Sequence, residues 1–545
     1  MNTSKLLTGL ALATALAAHA QIDTRPVPAQ PQPSALPANW QHGAFMEVFV
    51  RGYQDSDGDG IGDLRGLTRR LDYLQKLGIS GLWLMPITAS SDHDHGYATT
   101  DFRSIEPQYG TLADFDELIR EAHKRGIGIV MDYVINHASY QFPAFQAALK
   151  DRAGPWRDWF VWNPEPGPGW DIWGKYPWYD AAAKPWDWTG EWKDLPPIRP
   201  GSPDIFFGTF GPHMPDFNLR NPVVVQYHED SLRFWLNRGL DGYRLDAVPH
   251  LIENNAKDWN DQPESRVLTK HFQDLIKSYP GRYVVCEATA EPIAYGAPGL
   301  CGGAFAFNQN YELMKAAKGD AAAVQRVADY YRAMSPTMAT FLHNHDIFTG
   351  QRVWDQLHGD EARYRLAAAS YLLLPGTPFV YYGEEIGLAG ADGKDAKDDA
   401  PLRSPMSWTP DGGFTTGDQP FRPLSLNRSR HNAETQVREP DSLFNFYRTL
   451  IALRRQLPSL ALGNYEADHV DGQVWSFQRV QGRQRCLVAI NYGDQPASIT
   501  VAGLSPAARA KAAYPRNAAA LKADAAGQAR IALPPLSLRV YTLNP

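Results

Sequence analysis

A chain of 545 residues with a formal net charge of −7 is too long for one simple core and has no basic surplus. That balance gives no electrostatic ground for a nucleic-acid partner. Beyond the N-terminus no run is long and apolar enough for membrane insertion. Three cysteines, Cys286, Cys301 and Cys486, do not make a disulfide scaffold; the odd count leaves at least one unpaired within the chain, and Cys286–Cys301 is a conceivable pair.

Lys5, the apolar run Leu6 to Ala18 and the small-x-small site Ala18-His19-Ala20 read as a secretory signal peptide over 1–20. This predicts a secreted or periplasmic protein cleaved after Ala20. Residues 21–40 are Pro-rich and polar, a linker or arm. From about residue 43, strand and helix patterns alternate. FMEVFV (45–50) is a strand, followed by a helix with Leu67, Leu71 and Leu74 on one stripe and Gly78 to stop it. GLWLMP (81–86) and IGIVMDYV (127–134) are strands flanking a helix capped by Thr111. Residues 138–220 break the rhythm and are read as an inserted domain, with nine Trp from Trp156 to Trp192. Those rings suit sugar stacking at outer positions and the core of a sheet-poor subdomain equally well.

A helix with Pro222 in its first turn then resumes the alternation. LDGYRLD (240–246), RYVVCEA (282–288), GGAFAF (302–307), MATFLHN (338–344) and PFVYYGEE (378–385) complete eight strands, which predicts a (β/α)8 barrel. Its two parts are 41–137 and 221–458. Short strands VWSFQR, RCLVAINY and LSLRVYTL mark a C-terminal antiparallel β-domain over 459–545.

DYVINH (132–137), GYRLDAVPH (242–250), CEAT (286–289) and FLHNHD (341–346) all fall at C-terminal ends of barrel strands, where barrel active sites form. Asp246, Glu287 and Asp346 aimed into one mouth make a costly like-charge cluster, of the kind that forces pKa values apart at functional sites.

These four ordered segments resemble the α-amylase superfamily of glycoside hydrolases, over nearly all of the chain from about residue 43. The resemblance implies a barrel with a domain inserted after the third strand and a C-terminal β-sandwich. It implies Asp246 as nucleophile, Glu287 as general acid/base and Asp346 as transition-state stabiliser. Arg244 would orient Asp246, Asp132 would sit near that Arg, and His137 and His345 would bond sugar hydroxyls. Tyr97 in SSDHDHGYATTD (90–101) resembles the ring under the cleaved sugar. Asp94 resembles the acid with which exo-acting α-glucosidases grip a non-reducing end, whereas His95-Gly96-Tyr97 resembles the endo-acting version. Asp399 and Arg403 resemble a pair touching the same subsite. MPDFN (214–218) is intermediate between the oligo-1,6-glucosidase and neopullulanase forms, and Ala247 leans toward α-1,4 bonds. Pro249-His250 departs from the Lys-His of many α-amylases.

DSDGDGIGD (55–63) alternates acids and turn glycines, so Asp55, Asp57, Asp59 and Asp63, with Ile61 between them, suit a hard cation. The run resembles a Ca2+ loop after the first strand of oligo-1,6-glucosidase relatives. Asn136 resembles a second Ca2+ ligand, and His93 reads as loop structure. The expected activity is retaining endo-hydrolysis of α-1,4 bonds in starch or malto-oligosaccharides. The alternatives are an exo-acting α-glucosidase or a glucosyl-transferring, trehalose synthase-like enzyme and, from another class, a non-catalytic glucan-binding protein.

Overall fold

The computed structural model describes residues 22–187, 194–334 and 337–543. The predicted signal peptide lies outside them, as do Trp188 and Trp192. Seven parallel strands form the central sheet: β1 (Phe45–Val48), β2 (Gly81–Leu84), β3 (Gly128–Tyr133), β4 (Gly242–Leu245), β5 (Tyr283–Cys286), β6 (Ala339–Thr340) and β7 (Thr377–Tyr381). Their spatial order is β6-β7-β1-β2-β3-β4-β5. All are fully buried, as expected where helices cover the outside of a parallel sheet.

Alternation along each strand sorts the side chains. Met46, Leu82, Ile129 and Tyr243 face outward into the helix layer, while Phe45, Trp83, Val130, Val285 and Phe379 fill the interior. Two inward glycines make room for rings: a Cβ on Gly128 would lie 2.3 Å from the Trp40 ring, and one on Gly81 2.6 Å from Phe45. Trp40 ends the Pro-rich arm. That arm follows the barrel wall, with Val27 N–H donating to Asp230 (2.9 Å) and Gln30 N–H to Asn237 (3.0 Å).

The segment read as an eighth strand, GGAFAF, does not join the sheet. It makes only isolated bridges, Cys286↔Ala304 and Phe305↔Ala339, which close the ring between β5 and β6. Gly302 takes φ +79°, and β6 is only two residues long, so the ladder cannot extend. The predicted helix with the Leu67, Leu71, Leu74 stripe is interrupted at Arg70 into Leu64–Arg69 and Leu71–Leu77; the stripe is buried, and Gly78 ends the second piece at φ +99°. Helix α1 (Leu112–Lys124) begins with the expected Thr111 cap, a reciprocal box with Asp114.

Among its described residues, the insertion after β3 holds one α-helix, Pro143–Lys150, and one antiparallel pair, Trp178–Asp180 with Ile205–Phe207. Its described tryptophans serve mainly as core: Trp159 and Trp178 are buried, and Trp162 and Trp170 pack against them and their neighbours. Trp173 is the exception, at 57% exposed. The C-terminal region begins with β8 (Asn464–Asp471), β9 (Val474–Gln481) and β10 (Gln484–Asn491), followed by β11 (Ala497–Val501) and β12 (Arg509–Tyr514). It ends with β13 (Leu521–Lys522), β14 (Ala529–Leu533) and β15 (Ser537–Leu543). Six of these form an antiparallel sheet in the order β8-β9-β10-β15-β12-β13, and β11 pairs with β14. Leu487, Ile499, Ile531 and Leu533 fill the space between the two sheets.

Candidate active site

The residues at the mouth are set by strand register. Glu47, Asp132 and Arg244 occupy inward positions one step above the apolar layer, and β3–β4 pairing places Asp132 beside Arg244. Arg244 is buried, and its guanidinium reaches three carboxyls: Asp132 (3.0 Å), Asp246 and Glu287 (2.9 Å). Asp246 follows β4, its N–H held by Tyr133 O (3.1 Å). Ala247 then turns into left-handed space (φ +48°), which costs a non-glycine residue roughly 1–3 kcal/mol. That turn points the Ala247 N–H at Glu287 Oε2 (3.0 Å). One guanidinium and one amide thus hold the Asp246 and Glu287 carboxyls together.

Three carboxyls around one guanidinium leave negative charge uncompensated in a dry site, so the cluster retains a proton near neutrality. Burial, opposed by Arg244, raises Asp132 to about 6. Burial raises Asp246 well above the usual carboxylate range, with Arg244 pulling against it and Glu287 adding to it. Asp346, on the loop after β6, is pushed up to about 7 by burial, against the pull of Arg403.

A second layer orients hydroxyl-binding groups. His345 Nδ1 meets Glu47 Oε1 (2.5 Å), and its Nε2 lies 2.9 Å from the Tyr97 hydroxyl and 3.3 Å from Asp346. Burial holds His345 neutral, so one of its ring nitrogens donates and the other accepts along the Glu47–His345–Tyr97 chain. The one Tyr97 hydroxyl proton is within reach of Asp132 (3.0 Å). His137 is buried, lowered to about 3 by burial, and tied through Nδ1 to Asn136 (3.0 Å); its Nε2 has no hydrogen-bond partner among the described residues. A buried, unpaired ring nitrogen at the wall of a cleft suits a ligand hydroxyl.

Beyond Asp346 runs a chain of charges. Arg403 contacts Asp346 (3.4 Å), Asp399 (3.0 Å) and Asp94 (3.7 Å), and Asp94 pairs with Arg422 at 2.6 Å. Asp94 Oδ1 is buried without a partner. Tyr97, His137, Arg244, His345, Asp399 and Arg403 therefore converge with Asp246, Glu287 and Asp346 on one cavity of about 660 Å³, whereas Asp94 does not line it and reaches the site only through Arg403. Glu47 and Arg422 were not anticipated. The sequence signal for Glu47 is a lone acid at an inward position of an otherwise apolar strand. Arg422 lies in an irregular loop with no such signal.

In the acidic loop, Asp55, Asp57 and Asp63 bring carboxylate oxygens within 4.8 Å of one another. Asp59 is outside that group; its carboxylate accepts the Ile61 N–H (2.8 Å). An all-oxygen set in a turn-rich loop fits a hard divalent cation. Asn136 is not free to join a second site: its amide nitrogen donates to Asp216 (3.2 Å) and His250 O (2.6 Å), and its oxygen meets His137. His93 sits at φ +50° and is mostly exposed.

Residues 47–463 match the family model "Alpha amylase, catalytic domain". The chain is 34% identical over 484 residues to "Trehalose synthase/amylase TreS" of Mycobacterium tuberculosis H37Rv, covering 79% of this chain and 78% of the relative. It is 30% identical over 525 residues to the trehalose-6-phosphate hydrolase of Escherichia coli K12, covering 84% and 91%. Among solved structures, a mutant isomaltulose synthase from Erwinia rhapontici NX5 superposes with a TM-score of 0.76 at 26% identity, over 94% of this chain and all of that one.

Proposed function

Because this chain belongs to the α-amylase family of glycoside hydrolases, we propose that it is a retaining enzyme acting on the terminal glucose of short α-glucosides, with water or a second sugar as acceptor. The observation that carries the reading is the Asp94–Arg422 pair (2.6 Å), backed by Arg403, beyond Asp346. It ties the loop after β2 to the loop after β7. A glucan chain running through the cleft would have to part these charges, whereas a non-reducing end could stop short of them and bond to Arg403 and Asp399, which line the cavity. Relatives named as trehalose-6-phosphate hydrolase and isomaltulose synthase, and the one named trehalose synthase/amylase, support this reading over internal cleavage of starch alone.

The chemistry assigns the two carboxyls different jobs. The reaction requires the proton on Glu287 and Asp246 ionised, the form that its contact with Arg244 favours. Glu287 gives that proton to the glycosidic oxygen as the bond from C1 to that oxygen breaks. An Asp246 oxygen then bonds to C1. The leaving sugar departs. Glu287, now a carboxylate, takes a proton from water or a sugar hydroxyl, whose oxygen bonds to C1 as the Asp246 bond breaks. Two inversions give net retention. A single guanidinium touching both carboxyls matches the short separation of retaining enzymes. Asp346 and His345 would bond the sugar hydroxyls that pull the ring toward the transition state.

In this reading Asp55, Asp57 and Asp63 hold Ca2+, which supplies positive charge that pins the loop after β1. The Cys286–Cys301 disulfide suits the secreted or periplasmic setting read from the N-terminal sequence. Product analysis over time on maltotriose and soluble starch, beside Glu287→Gln, tests the function. Glucose, or glucosyl-transfer products, from the first time points is expected. Early mixed oligosaccharides from starch would reinstate the endo-acting expectation, and wild-type turnover no higher than that of the variant would reinstate the binding-protein one.

A further inference from the structure

The family reading explains the carboxyls but not the mouth of the cavity. Four large aromatic side chains are exposed among the described residues: Trp173 (57%), Phe348 (49%), Tyr176 (38%) and Tyr311 (36%). All but Tyr176 line the active-site cavity. Exposed rings gathered at one opening point to a ligand with apolar faces.

Trp173 is the most deliberately placed of them. It sits at φ +52°, left-handed space that a bulky side chain rarely occupies. A tight turn holds it there: Ile172 N–H donates to Lys175 O (2.8 Å), Lys175 N–H to Ile172 O (3.0 Å), and Gly174 N–H to Asp171 Oδ1 (2.6 Å). Ile172 beside it is buried in the core of the insertion, so the turn is anchored while the indole is thrust outward. Three rings then fix the indole's position: Phe210 at 5.7 Å, His250 at 5.3 Å and Trp259 at 5.7 Å between centroids. Trp259 in turn stacks on His250 (5.6 Å, 13°). Strain, anchoring and support are all arranged for a side chain that remains more than half exposed.

Its location assigns a side of the reaction. His250 ends the short turn that begins at Ala247, and Ala247 N–H bonds Glu287. The Trp173 cluster therefore borders the general acid/base, where the leaving sugar departs and the acceptor arrives. The Asp94–Arg422 pair borders Asp346 and Arg403 instead. A pyranose ring presents C–H groups on its faces and hydroxyls around its rim. An indole in this position takes a face, leaving the rim hydroxyls free for Glu287.

We propose that Trp173 is the platform for the acceptor sugar ring, so that the second substrate is a free sugar competing with water for the glycosyl-enzyme. The inference rests on the retaining, terminal-glucose reading above. The acceptor hydroxyl gives its proton to Glu287, its oxygen bonds to C1, and the bond from C1 to Asp246 breaks. Trp173 raises the occupancy of that hydroxyl over water, and with a donor whose leaving group is not a sugar it takes no part in the first half of the reaction.

The test uses α-glucosyl fluoride as donor, because fluoride leaves without a ring in the acceptor position, and glucose as added acceptor. Fluoride release reports formation of the glycosyl-enzyme; the ratio of disaccharide to free glucose formed from the donor reports acceptor choice. For Trp173→Ala we expect fluoride release within about twofold of wild type and a transfer ratio lower by roughly tenfold, the size of one stacking contact. Trp173→Phe should recover most of the ratio, which a merely structural role would not require. An unchanged ratio in Trp173→Ala with normal fluoride release overturns the proposal, as does a wild type that releases fluoride and forms no transfer product. A wild type that releases no fluoride overturns the terminal-glucose reading itself.

Discussion

Replacing Arg422 with Ala tests the closed end of the cleft. Arg422 and Asp94 are partly buried, with side chains 18% and 27% exposed, and lie 2.6 Å apart. A charge-assisted hydrogen bond of this kind contributes about 1.5–3 kcal/mol. The variant keeps Arg403 at 3.7 Å from Asp94, so the loss should fall in the lower half of that range. At 1.4 kcal/mol per decade, kcat/KM on maltose should fall about twelve- to fortyfold. The second consequence is qualitative. With the far end opened, a longer chain can pass the Asp346 side, so maltohexaose should begin to yield maltose and maltotriose beside glucose. The assay is product chromatography at low conversion, with kcat/KM measured on maltose in parallel. A variant that loses less than about threefold on maltose and still forms only glucose from maltohexaose would falsify the argument that this pair closes the subsite.

Asp346 makes a prediction in pH. Its carboxyl stands at about 7 when folded, above its ordinary value. The folded chain therefore keeps a proton that the unfolded chain loses between about pH 4 and pH 7. Its contribution is fully present below that window and is lost as pH rises through it. Asp346→Asn removes the penalty, so relative to wild type the variant should gain about 4 kcal/mol between pH 4 and pH 8 in urea unfolding; a pH-independent difference would count against the burial of this charge. Chelation should lower the melting temperature, added Ca2+ should restore it, and Asp57→Ala should abolish both effects; a chelator-insensitive wild type removes the metal from the acidic loop. Cys301→Ser opens a bridge between residues 15 apart, worth about 3 kcal/mol in the chain-entropy account. Calorimetry should show a melting temperature several degrees lower, and an unchanged transition would show that the bridge does not constrain the unfolded chain.

Much of the site was legible because barrel chemistry lies at strand ends, and strand ends show in sequence as apolar runs that stop at charged residues. Asp246, Glu287 and Asp346 each follow such a run, and the Asp132–Arg244 contact follows from β3 pairing with β4. The choice between core and sugar-stacking roles for the tryptophans was not legible, because composition is the same in both. Folding settled it residue by residue, burying Trp159 and Trp178 while leaving Trp173 in the mouth.

The sequence by itself determined the family, the order of the barrel strands, the inserted and C-terminal regions and the identity of the central carboxyls. These depend on local periodicity and on short motifs, each contained within a few residues. The tertiary structure alone decided which distant groups meet: Arg422 with Asp94 across 328 positions, Glu47 with His345 across 298, and Cys286 with Cys301. It also decided that the segment after β5 closes the barrel by bridges and not as a full strand. The physical reason is closure. When a sheet curls into a ring, loops remote in sequence converge on one end, and their contacts depend on strand register and burial, which no local pattern records.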